Sequence, residues 1–219
     1  MAVLDHPHVE TVGIAMLAIL RCVGRQPFAP RFYLAGGTAL ALQMGHRTSV
    51  DLDFFSEQDE LRDESRAEIV SAMASLNPSV ITDHVGSLLF SVQGISTGFF
   101  GYGYPLVGQG VEFEGVMLAS PIDIGMMKLD ALISRASRKD FYDLYFIAQS
   151  NPIDSLLELG RAKYPFARDF ELQAVESLTF FENADADFQP SLLIPVEWET
   201  VKTFFVEQAK LLRQKWYGF

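Results

Sequence analysis

The chain has 219 residues, 49% of them hydrophobic, a mean hydropathy of +0.15 and a formal charge of −11 at pH 7. That size and composition suit one compact body with a helical extension and exclude a disordered chain. The acidic balance excludes a broad basic surface gripping nucleic acid through its phosphates alone. Apolar runs such as Ile14 to Leu20 fall far short of the roughly 20 residues a membrane span needs. With no basic region leading into a signal-like core at the N-terminus, the chain reads as cytoplasmic, with no membrane partner. A single cysteine, Cys22, excludes an internal disulfide and any multi-cysteine metal site, and it reads as a core residue of the first helix.

In chain order, Val9 to Val23 has helical periodicity, Gly24 to Pro30 breaks it, and Phe32 to Ala35 is a short apolar run of the buried-strand kind. Thr38 stands at a helix start, the helix to Met44 stops near Gly45, and Val50 to Phe55 is a second strand. An acidic stretch, Ser56 to Glu64, leads into an amphipathic helix over Ala67 to Leu76, ended by Asn77-Pro78. Ser79 to Asp83, Leu88 to Gln93 and Ile95 to Tyr102 read as strands, with a hairpin turn at Gly94. Glycines 98, 101, 103, 108 and 110 suggest bulges or a loop, which also takes in Glu112 and Glu114.

Ser120-Pro-Ile-Asp123 is a strong helix start, with a cap residue, proline at the first helical position and an acid three residues on. Helices are predicted over Pro121 to Ser134, Lys139 to Gln149, Ile153 to Lys163, Arg168 to Phe181 and Val196 to Trp216. The expected fold class is therefore α+β: a small mixed sheet with flanking helices over 1–119, then a helical domain over 120–219.

The chemistry concentrates between Phe32 and Phe55. Asp51 and Asp53, two apart on a strand, project from one face with α-carbons about 7 Å apart, while Leu52 and Phe54 point the other way. Such a pair suits one or two Mg²⁺ ions that keep waters and bind substrate phosphates. Gly36 and Gly37 let backbone amides approach a phosphate, and the helix beginning at Thr38 adds its positive end. An isolated Asp-x-Asp is more often a locally hydrogen-bonded pair; the glycine pair upstream favours the metal site and disfavours an aspartyl-phosphatase nucleophile. In the loop between helix and strand, Arg47 is a candidate nucleotide contact, Ser49 is placed to orient Asp51, and His46 reads as structural. His6, His8 and His84 have no partners at metal-ligand spacing and are assigned no role.

Lys128, Arg135, Arg138 and Lys139 fall within twelve residues, a positive cluster suited to a triphosphate or a nucleic-acid end, or else a helix end where cations offset the dipole. Lys128, Leu132 and Arg135 share one helix face, as do Asp140 and Asp143, so ion pairing between the two helices is the competing reading. The last helix carries Lys202, Lys210, Arg213 and Lys215, but also Phe204, Phe205, Leu211, Leu212 and Trp216, which read as a packing stripe.

Gly36-Gly-Thr-Ala-Leu-Ala-Leu42, Gly45-His-Arg-Thr-Ser49, Asp51-Leu-Asp-Phe-Phe55, Met127-Lys-Leu-Asp-Ala-Leu-Ile-Ser-Arg135 and Lys139-Asp-Phe-Tyr-Asp-Leu-Tyr145 together resemble the AbiEii/AbiGii toxin family of nucleotidyltransferase-like proteins. The resemblance spans roughly residues 30 to 150. It implies a DNA polymerase β-like nucleotidyltransferase fold, NTP and Mg²⁺ as ligands, and a helical domain closing over the site. It also implies an RNA acceptor such as a tRNA 3′ end and an antitoxin partner. Carried over by residue, Gly36, Gly37 and Thr38 cradle phosphate, Asp51 and Asp53 hold metal, Lys128 contacts a nucleotide phosphate with Arg135 nearby, and Asp140 and Asp143 belong to the later motif.

The chain departs from the fold's usual pattern at one place. A third carboxylate is expected on the neighbouring strand, to position metal and accept the acceptor's proton. Ile95-Ser-Thr-Gly-Phe-Phe100 holds no acid, which leaves Asp83, Glu112 and Glu114 as candidates. Two readings follow: a Mg²⁺-dependent nucleotidyltransferase, or a nucleotide- or partner-binding module that kept the cradle and lost or weakened the chemistry.

Overall fold

A glycine pair between two short apolar runs organises the first half of the chain. The structure, a computed structural model, describes residues 2–217. Helix α1 (Ile14–Gly24) buries Met16, Ile19, Leu20 and Val23 along one stripe. After strand β1 (Tyr33–Ala35) the backbone turns at Gly36, φ 67°, and enters helix α2 (Gly36–Met44), which ends on Gly45 at φ 65°. The helix thus begins on the glycine pair and not at Thr38, because only residues without a side chain can make so abrupt a passage from strand to helix.

Strand β2 (Asp51–Ser56) follows, then helix α3 (Asp63–Met73), which starts earlier than its apolar periodicity suggests because Asp63 and Glu64 complement its N-terminal dipole. Strands β3 (Ser79–His84), β4 (Ser87–Val92) and β5 (Ile95–Gly101) form a meander. Its second turn, Gln93-Gly94, has φ of 52° and 82°, the positive pair that a tight hairpin requires. Strands β6 (Val111–Phe113) and β7 (Val116–Leu118) form a further hairpin, so Glu112 lies in a strand and Glu114 in its turn, where a loop was expected. Three-residue strands are too short to show a period in sequence.

The described strands form one seven-stranded mixed sheet in the order β3-β4-β5-β2-β1-β7-β6. β2 lies near its centre, parallel to β5 and antiparallel to β1. Leu34, Leu52, Phe54, Phe90 and Phe99 are fully buried, and Phe54 stacks on Phe99 at 4.8 Å between centroids. This apolar side of the sheet anchors β2, so the side chains alternating with Leu52 and Phe54 are presented on the opposite face.

Internal contacts divide the chain into Met1–Ser120 and a second unit, Pro121–Phe219. The second is helical: α4 (Pro121–Ser134), α5 (Arg138–Ala148), α6 (Ile153–Lys163), α7 (Phe170–Ser177), α8 (Glu182–Ala186) and α9 (Trp198–Tyr217). The single helix predicted over Arg168 to Phe181 is broken after Ser177, where Thr179 and Phe180 donate to carbonyls three residues back and Phe181 packs on Phe141 at 5.1 Å. On α9, Val201, Phe205, Ala209 and Leu212 are buried at helical spacing, while Leu211, expected in the stripe, is 57% exposed. Buried between α4 and α6, the Lys163 ammonium meets Asp123 at 3.1 Å. With this mixed sheet and its flanking helices, the chain has the α+β class expected from sequence.

Candidate functional site

The pleat of β2 puts Asp51 and Asp53 on the half-buried face. Asp53 lies opposite Ala35 on β1 and Gly98 on β5. A Cβ built on Gly36 would lie 3.6 Å from Asp53 Oδ2, and one built on Gly98 would lie 3.4 Å from Oδ1. The carboxylate therefore sits between two residues that have no side chain. Sequence alone reads Gly98 as a bulge or loop glycine; close approach of another group is the alternative meaning of a glycine within a strand.

Hydroxyl contacts join helix to strand. The Thr38 hydroxyl donates to the Asp51 carbonyl and lies 2.8 Å from the Ser49 hydroxyl, and Ser49 Oγ lies 3.4 Å from Asp51 Oδ1. Arg47 is 5% exposed and donates to the Thr48 carbonyl at 2.9 Å. Its guanidinium lies against Gly37, where a Cβ would be 2.1 Å from the nearer terminal nitrogen. Glycine at position 37 thus makes room for Arg47. His46, beside it, is fully buried.

Among the described residues no group of three or more His, Cys, Asp and Glu is arranged to hold a metal ion. The donors on this face are the two carboxylates, Asp51 and Asp53, and they suit a hard cation that fills its other positions with water and phosphate oxygens. None of the three candidate acids completes the set. Glu112 on β6 and Asp83 on β3 each lie three strands from β2, about 14 Å at the usual strand spacing. Asp83 pairs with Arg66 at 2.5 Å and Glu114 with Arg21 at 2.8 Å. Opposite the acid pair, β5 presents Ser96 and Gly98.

In the helical unit the later motif forms a buried ionic cluster. Lys128, 4% exposed, meets Asp140 at 2.8 Å and Asp143 at 2.7 Å, and both acids are fully buried. Arg135 bonds both oxygens of Asp140 at 2.9 Å, and the Ser137 hydroxyl adds a bond of 2.6 Å. Burial by itself would raise the Asp140 carboxyl; the charges of Lys128 and Arg135 outweigh it and hold the group well below the usual carboxylate range. Arg138 packs over Trp198 at 5.2 Å and donates to the carbonyls of Ala184 and Asp185. The cation run is thus spent largely on contacts between helices.

The fold is that of the nucleotidyltransferases. The chain superposes on the crystal structure of JHP933 from Helicobacter pylori with a TM-score of 0.52 at 19% identity, covering 92% of this chain and 90% of that one. It also superposes on the solution structure of the antibiotic-resistance factor ANT(2'')-Ia with a TM-score of 0.51 at 14% identity, covering 68% and 89%. Residues 18–217 match the family model described as nucleotidyl transferase AbiEii toxin, type IV TA system, and the chain belongs to that family. A relative from Aquifex aeolicus, the uncharacterized protein aq_aa25, is 36% identical over 187 residues, 82% of this chain and 86% of that protein.

Proposed function

We propose that the protein transfers a nucleoside monophosphate from an NTP to a hydroxyl on RNA, with Mg²⁺, as the toxin of a toxin-antitoxin pair. The observation that carries this reading is the convergence of the glycine turn and the acid pair, with Asp53 Oδ2 placed 3.6 Å from where a Gly36 Cβ would stand. The first-turn amides of α2 at Gly36, Gly37 and Thr38 bind phosphate oxygens. Arg47 adds positive charge beside them, and Ser49 holds Asp51 in register. Asp51 and Asp53 hold the cation, which when bound neutralises charge on the phosphates. In the transfer, the acceptor hydroxyl oxygen bonds to the α-phosphorus, the bond from that phosphorus to the bridging oxygen breaks, and pyrophosphate leaves with its electron pair. The hydroxyl proton passes to solvent or to a carboxylate of the pair. Lys128, Arg135, Asp140 and Asp143 of the later motif serve this reading as a buried ionic cluster that fixes α4 against α5.

The presence of Ser96 and Gly98 where an acid would complete the site supports a second reading, a nucleotide-binding module with weakened chemistry. Labelled NTPs incubated with Mg²⁺, total RNA and the purified protein separate the two. Transfer is expected for the wild type and lost in Asp51→Ala and Asp53→Ala; label incorporation that survives Asp53→Ala sinks the metal assignment. NTP binding without transfer supports the second reading.

A further inference from the structure

The segment before α1 lies ahead of the matched residues 18–217, yet it is tied to the loop carrying Arg47 and Ser49. Val9–Thr11 forms a single 3-10 turn. The His8 amide donates to the Leu42 carbonyl at 2.9 Å, in the last turn of α2. The His8 ring lies flush against Gly45, where a Cβ would come within 2.5 Å of Nδ1. Thr11 is 1% exposed; its hydroxyl donates to the His8 carbonyl at 2.6 Å, closing the turn. Its own carbonyl accepts the Ser49 amide at 2.9 Å. Ser49 is the residue whose hydroxyl meets Thr38 and faces Asp51.

We infer that the His8–Thr11 turn is a positioning element of the nucleotide site, with Thr11 as the positioning residue that sets Ser49 and, through it, Thr38 and Asp51. This rests on the reading of that site given above. The turn grips the connection between α2 and β2 at both ends: His8 holds the helix terminus and Thr11 holds the residue leading into the strand. A buried donor such as the Ser49 amide needs an acceptor, so the loop conformation follows where the Thr11 carbonyl is placed. Farther back, the Leu4 amide donates to the Glu112 carbonyl at 2.9 Å and the Glu112 amide to the Ala2 carbonyl at 2.9 Å, which ties the same segment to β6.

The test uses the full chain and the variant Thr11→Val, which keeps shape and removes the hydroxyl that closes the turn, with Thr11→Ser as the conservative control. Binding of each of the four NTPs with Mg²⁺ is measured by calorimetry, alongside amide exchange at Ser49 and thermal denaturation. Thr11→Val is expected to weaken NTP binding about fivefold, the scale of one neutral hydrogen bond, and to speed exchange at Ser49. Thr11→Ser is expected to match the wild type. Unchanged NTP binding in Thr11→Val, whether or not its melting temperature falls, overturns the inference and leaves the site reading standing. Asp53→Ala run in parallel separates the two failures: NTP binding in Mg²⁺ that is indifferent to Asp53→Ala overturns the site reading, and the inference with it.

Discussion

Two glycines show how one residue type meets opposite constraints. Gly24 at the end of α1 faces backbone, with a Cβ position 2.0 Å from the Glu114 carbonyl oxygen, so neither side can give. Gly24→Ala is expected to destabilise the fold by about 2 kcal/mol or more, as overpacking against fixed atoms does, measured by urea denaturation at pH 7. Gly37 faces only the far end of the Arg47 side chain. Gly37→Ala is therefore expected to displace Arg47, leaving the melting temperature close to wild type while NTP affinity falls. Wild-type affinity in this variant would detach Arg47 from the site. The Gly-Gly pair was legible in sequence as a place of close approach. That Arg47 is the group approaching Gly37, and that Gly98 flanks Asp53, was not, because both depend on which strands become neighbours.

At the scale of elements, α4 and α5 are pinned by the Lys128, Asp140 and Asp143 cluster. The helices were readable from caps and periodicity, and α4 spans Pro121–Ser134 as predicted from its Ser-Pro-x-Asp start. The same spacing left phosphate contact and ion pairing as rival readings, and the structure shows the pairs formed. Lys128→Met leaves two buried carboxylates with less compensation and is expected to cost about 3–5 kcal/mol, measured by chemical denaturation. In the wild type the folded Asp140 carboxyl lies below its unfolded value of about 3.9, so its contribution is present above that pH and lost as pH falls through the folded value. In Lys128→Met the Asp140 carboxyl loses one of the two charges that offset its burial and moves up, so the variant's deficit is expected to shrink as pH falls. A deficit independent of pH would assign Lys128 a packing role alone.

At the scale of the whole molecule, a formal charge of −11 argues against retention of RNA by general attraction. Under the proposed transfer to RNA, non-acceptor RNA is expected to show no retention in filter binding at about 150 mM salt, with transfer confined to an RNA whose end fits the site. Strong retention of unrelated RNA would point to a basic surface that the charge balance argues against. No described helix is long and apolar enough to cross a membrane. Sequence by itself determined the order of elements through most of the chain, the glycine turn and the acid pair, since these rest on local backbone preference and on spacing within one strand or helix. Tertiary structure decided what depends on strand neighbours and burial: the placing of Gly98 beside Asp53, the remoteness of Asp83 and Glu112 from β2, the pairing of Lys128, and the clasp of Thr11 on Ser49. Those contacts join residues far apart in the chain, and their energies arise from close packing and desolvation that exist only once the sheet and helices are assembled.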